Sequence, residues 1–173
     1  MSTKAVGPEV TYQLEGSRGG TGVGEQLIVR PASEMNIVPA DLPTRWAEMP
    51  INASEQLRLE KGNYAVSRFA LMDGPRGRGQ LSFETVVYPS RKTAVDVLVK
   101  TLSKVTCLRL TRVDLGEAGA MMEAVGKAGR KMRALAFVER NVYGLIMLSC
   151  DQECKVPDSW LISMGRVMVS RMH

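Results

Sequence analysis

Two apolar runs, Arg133 to Val138 and Val142 to Leu148, flank the polar triplet Glu139-Arg140-Asn141. No other feature constrains the fold so tightly. Each run has strand length and is rich in aliphatic and aromatic residues. The triplet leaves room only for a tight turn, and Asn141 is the residue suited to a positive φ. The pair predicts an antiparallel hairpin at the centre of a sheet.

A second strand pair lies upstream. Tyr64 to Met72 reads as one strand and Gly74-Pro75-Arg76-Gly77-Arg78-Gly79 as a turn. Leu81, Phe83, Thr85 and Val87 then alternate with Ser82, Glu84, Val86 and Tyr88, the period of a strand. Pro89 stops it and Ser90 is a candidate N-cap. Ala94, Val97, Leu98, Thr101, Leu102 and Val105 recur at helical spacing, predicting an amphipathic helix over Arg91 to Lys104. Cys107 to Val113 returns as a strand. Met121 to Met132 is a helix candidate weakened by Gly126 and Gly129. Pro157 and Asp158 are helix start signals. Trp160, Leu161, Met164, Val167, Met168, Arg171 and Met172 follow at helical spacing, the methionines reading as core filler. Strands, helix, strands, helix argue for an α+β fold: an antiparallel sheet with two main helices packed on one face.

Residues 1–24 read as a flexible N-terminal segment and 25–173 as a single α+β domain. The glycines between Gly16 and Gly24 are too dense for a helix or a central strand. A phosphate cradle there would need a helix behind it, and Glu25 to Pro31 looks like a strand. Prolines 31, 39, 43 and 50 break the next stretch, where Trp46 reads as a core anchor rather than a stacking platform.

The chain of 173 residues can bury a core without metal or disulfides. Its one histidine, His173, is the last residue, which leaves no place for Ser-His or Cys-His catalysis or for a histidine metal site. No Gly-x-x-x-x-Gly-Lys run occurs. Neither a metal nor a cofactor is expected. No apolar stretch has the length of a membrane span, and Met1-Ser2-Thr3-Lys4 lacks a signal-peptide core. The expectation is a cytosolic chain, or a mature form without its targeting segment. Cys107, Cys150 and Cys154 are too few for a typical zinc site. Cys150 and Cys154 could close a small disulfide in an oxidising compartment, or stay as thiols. Asn52-Ala53-Ser54 matches a glycosylation sequon.

Charge is asymmetric. The net charge is +5. Residues 25–60 hold six acids and three bases, whereas residues 91–133 hold ten bases and four acids. The candidate binding residues are therefore Arg76 and Arg78 in the Gly-Arg loop, and Lys127, Arg130, Lys131 and Arg133 in the densest basic cluster. They suit a protein partner with an acidic surface, or a nucleic acid. Base stacking needs exposed aromatics, and Phe83 and Phe137 sit on inward-facing apolar strands. An enzyme would have to draw on Asp114, Glu117 and Glu123 beside Lys127 or Lys131, residue types found on every surface. The expectation is a non-catalytic protein-binding domain or accessory subunit, with nucleic-acid association as the alternative.

Three segments carry a family resemblance. They are Ala40-Asp41-Leu42-Pro43-Thr44-Arg45-Trp46, Val113-Asp114-Leu115-Gly116-Glu117-Ala118 and Ala136-Phe137-Val138-Glu139-Arg140-Asn141-Val142. Their order resembles small extracytoplasmic α+β domains of bacterial lipoproteins and receptor-kinase sensor regions. Those carry Asp-Leu-Pro before an aromatic, a Gly-Asp-Glu-Ala turn and a strand ending in Arg-Gly-Asn. Here Gly-Glu-Ala and Glu-Arg-Asn stand in the last two places. The resemblance spans roughly residues 37–172. It implies a non-enzymatic binding or accessory domain outside the cytoplasm, a setting that suits a Cys150–Cys154 bridge. It assigns no functional residue.

Overall fold

The computed structural model describes residues 26–71, 79–151 and 155–173. The expected boundary at residue 24 and the loop bearing Arg76 and Arg78 lie outside the described residues.

The hairpin 133–148 forms as β6 (Lys131–Glu139) and β7 (Val142–Cys150). The residue at positive φ is Arg140, at 52°, not Asn141. The Asn141 side chain is committed elsewhere: it is buried and hydrogen-bonded to Ile28 and Tyr88. Upstream lie β1 (Trp46–Glu48), β2 (Tyr64–Leu71) and β3 (Gly79–Val87), and between them and the hairpin β4 (Arg109–Val113) and β5 (Ala118–Val125). All seven pair antiparallel in the order β1-β2-β3-β7-β6-β5-β4. The apolar hairpin is at the centre because β7 is the middle strand.

The stretch from Met121, a helix candidate by spacing, is strand. Met121 packs in one core cluster and Met122 in another, as adjacent residues of a strand must. Beyond Val125 the chain makes a 3-10 turn over Lys127–Gly129, with φ of 59° at Ala128. The β4–β5 turn needs Gly116, whose φ is +60° and whose Cβ would stand 2.5 Å from the Val138 carbonyl oxygen. That carbonyl accepts from Glu117 N–H at 2.8 Å.

Among the described residues four α-helices complete the fold: α1 (Ala32–Met35), α2 (Ala53–Leu59), α3 (Arg91–Lys104) and α4 (Asp158–Ser170). Ser90 caps α3 by accepting from Thr93 N–H at 3.1 Å. Asn52, the sequon asparagine, caps α2, accepting from Glu55 N–H at 2.9 Å. Pro157 is the N-cap of α4 rather than its first residue.

The α+β class and the antiparallel sheet are as expected, but the placement of both main helices on one face is not. Leu135 and Phe137 of β6 pack with Leu161 and Met168 of α4. Ala136 and Val138 pack with Ala94 and Leu98 of α3. Alternate residues of a strand point to opposite faces, so α3 and α4 sandwich the sheet. The physical sign is the unbroken buried run Leu135 to Val138: a strand covered on both faces loses its polar alternation. Trp46 is buried on the α4 face and stacks on Trp160, with ring centroids 6.1 Å apart. Arg171, just past α4, grips Asp41 through both guanidinium nitrogens at 2.9 and 2.7 Å.

Candidate functional site

The basic middle of the sequence is brought to the β4 end of the sheet, but its members have different employment. Register places Arg109, Glu123 and Arg133 in one row across β4, β5 and β6. Arg133 is held: one nitrogen bonds Asp158 at 2.6 Å, and another bonds the Val156 carbonyl. It thereby clamps the first turn of α4. Arg130 pairs with Asp151. Lys131 is exposed at the start of β6. The Lys127 side chain lies outside the described residues, as do Arg76, Arg78 and Cys154. Cys150 is disulfide-bonded, and Cys107 is a free thiol.

The strand expected over Cys107 to Val113 forms as the edge strand β4, whose arginines are not among the candidate binding residues read from the sequence. Among the described residues β4 has one strand neighbour, β5, so its other side is open. Arg109, Thr111 and Arg112 are exposed along it. Arg109 shares two long ion pairs, to Glu123 at 3.3 Å and Asp158 at 3.5 Å. Arg112 and Arg166, both exposed, have no ion-pair partner among the described residues. A depression of about 310 Å³ lies between β4 and α4. Thr111, Val113, Met121 and Ile162 line it, and Arg109, Arg112 and Arg166 stand around it with Asp114 and Asp158. Asp158, Ile162 and Arg166 are spaced four residues apart and so form one line along α4. The sequence signal for this place is that the strand expected over Cys107 to Val113 carries Arg109 and Arg112. Arg166 could be found only through the packing of α4 on the sheet.

The carboxylates weighed for catalysis are spread out. Glu117 pairs with Arg91 at 2.6 Å, Glu123 with Arg109, and Asp114 lies at the depression. A different carboxylate has the altered chemistry. Burial pushes Glu84 on β3 above the usual carboxylate range. Tyr64 O–H donates to it at 3.3 Å, and the Arg58 guanidinium stands 3.7 Å over the Tyr64 ring. Burial likewise pushes the Tyr64 and Tyr143 hydroxyls up to about 12. Glu84 lines neither the depression at β4 nor the one along the β4–β5 turn. Among the described residues no group of three or more His, Cys, Asp or Glu could hold a metal ion, and no helix is long and apolar enough to cross a membrane.

No family model and no curated protein matches the chain. Among solved structures it is similar to the extracellular domain of PknH from Mycobacterium tuberculosis, with a TM-score of 0.52 and 10% identity. The match covers 86% of this chain and 98% of that one. That neighbour is an extracellular domain, and at this identity the likeness reaches the fold alone.

Proposed function

We propose that the chain is a non-catalytic protein-binding domain, an accessory subunit of a larger assembly, that engages its partner through the basic edge at β4. One observation carries the reading: Arg112 and Arg166, on different elements, flank one depression without an ion-pair partner among the described residues. Exposed arginines left uncommitted beside an apolar floor are what an acidic protein surface uses for docking and orientation. Lys131 extends the same charge along the sheet, and Lys127 and the Arg76–Arg78 loop belong to the proposal by sequence.

An extracytoplasmic setting is part of this reading. It is supported by the disulfide at Cys150, with Cys154 as the proposed partner, and by the fold likeness to an extracellular domain. Nucleic-acid binding is the weaker reading. Of the aromatics that could stack a base, Phe83 and Phe137 are fully buried, Tyr143 nearly so and Tyr88 half-buried, which supports giving this reading less weight.

The test compares the full chain with its Arg112→Glu/Arg166→Glu variant. Each is cross-linked in a native extract, treated with nuclease and purified, and the captured proteins are then titrated in purified form. A defined protein should bind the wild type after nuclease treatment and bind the variant far more weakly. Loss of all capture on nuclease treatment would give the function to nucleic acid. Equal binding by wild type and variant would move the interface away from β4.

A further inference from the structure

We infer that the open side of β4 is a strand-addition site for an extended acidic segment of a partner protein. This inference rests on the protein-binding reading above and specifies its geometry. An edge strand carries a row of backbone donors and acceptors that a second chain can pair with. Here β4 gives five residues without proline or glycine, and no strand covers its outer side among the described residues. Just before it, Leu108 leaves 77% of its surface exposed. A strand laid beside β4 would sit about 4.8 Å away, close enough to shelter that side chain.

Charge selects the occupant. Arg109 and Arg112 lie on the strand and Arg166 beside it, and β4 has no acidic residue. A second copy of β4 would set two arginines from each chain along one seam, which disfavours self-pairing. An acidic segment meets the opposite situation. Along a strand, alternate side chains point to the same face. Those on the α4 side would pass beside Arg109 and Arg166, where acidic groups pair, and those on the α3 side beside Leu110, where aliphatic groups pack. A segment alternating acidic and aliphatic residues therefore fits, with backbone pairing giving attachment and arginines giving selection.

The test uses a fluorescent peptide alternating Glu and Val, titrated against the full chain by anisotropy. Partner peptides replace Glu with Lys, or carry N-methyl groups on alternate amides in each of the two possible registers. The acidic peptide should bind, and the lysine version should not. N-methylation in one register should weaken binding by about tenfold or more, the scale of lost pairing hydrogen bonds. The Arg112→Glu/Arg166→Glu variant, checked for an unchanged thermal midpoint, should weaken it by a similar factor. Equal binding of both N-methylated peptides would overturn strand addition while leaving a charge-mediated protein surface in place. No binding of the acidic peptide, or binding indifferent to the arginine variant, would overturn the acidic-segment assignment. Displacement of the peptide by an oligonucleotide that binds more tightly would overturn the protein-binding reading itself.

Discussion

The Asn141 carboxamide closes both backbone hydrogen bonds of Ile28, which lies 113 positions away in the chain. Its Oδ1 accepts from Ile28 N–H at 2.6 Å, and its Nδ2 donates to the Ile28 carbonyl at 3.0 Å. The second Nδ2 hydrogen goes to the Tyr88 carbonyl at 2.8 Å, and Tyr88 N–H returns to the Asn141 carbonyl at 2.8 Å. One buried side chain thus supplies strand-like pairing to a segment no strand reaches. It joins the start of the described chain, the exit of β3 and the β6–β7 turn.

Replacing Asn141 by Ala leaves the Ile28 N–H and carbonyl unsatisfied in a buried place and takes a donor from the part-buried Tyr88 carbonyl. The expected loss is about 2–3 kcal/mol of unfolding free energy, the scale for buried polar groups stripped of partners. Urea unfolding at equilibrium measures it. Amide exchange at Ile28 should accelerate more than at the core of β6.

Gly144 on β7 faces Phe137 on β6 in register, and a Cβ there would overlap the Phe137 ring. Gly144→Ala should cost about 1–3 kcal/mol through overpacking at the centre of the sheet. Shortening the opposed residue in a Gly144→Ala/Phe137→Leu pair should recover part of that loss. A double-mutant cycle by urea denaturation reads the coupling, and strict additivity would contradict the contact.

How much of this was legible beforehand follows from what a period can encode. Arg91 to Lys104 announces itself because one face is buried and one is wet, and Ser90 marks its start. The central hairpin announces itself by continuous apolarity. That same continuity hid the side taken by each helix, since Leu135 to Val138 presents apolar groups to both faces. Met121 and Met122 were misread as helical because adjacent apolar residues fit either period. The α2 helix was masked by neighbouring prolines, although Asn52 and Glu55 form its capping box. At the candidate site the limit was different. Charge density pointed to Arg130 and Arg133, which the fold pairs with Asp151 and Asp158. Arg112 and Arg166 are far apart in sequence, and only the packing of α4 beside β4 places them around one depression.

Glu84 should make stability fall as pH rises out of the acid range. Burial raises its folded-state pKa above the ordinary value of 4.5, so the folded chain holds this proton more tightly than the unfolded chain. The folded state is penalised progressively from the unfolded value upward, and fully once pH exceeds the folded pKa. Glu84→Gln keeps an acceptor for Tyr64 O–H and removes the buried charge. The variant should be more stable than wild type at pH 7, with the difference shrinking on acidification and gone below about 4.5. Urea midpoints across that range, wild type against variant, decide it, and a pH-independent difference would speak against the titration.

The arginines at the β4 end should separate into two kinds by stability alone. Arg133 bonds Asp158 and the Val156 carbonyl, so it fixes where α4 begins and how α4 meets β6. Removing it takes the short hydrogen bond from the half-buried Asp158 carboxylate, which keeps only the longer pair with Arg109, and strips the Val156 carbonyl of this donor. Arg133→Ala should therefore cost about 1–3 kcal/mol. Arg112 has no ion-pair partner among the described residues and is exposed on β4. Arg112→Ala should leave unfolding free energy within about 0.5 kcal/mol of wild type. Calorimetry or urea denaturation of the two variants measures the contrast. A large loss at Arg112 would mean that the edge arginine is part of the folded scaffold, and with it the case for a free docking edge would fall.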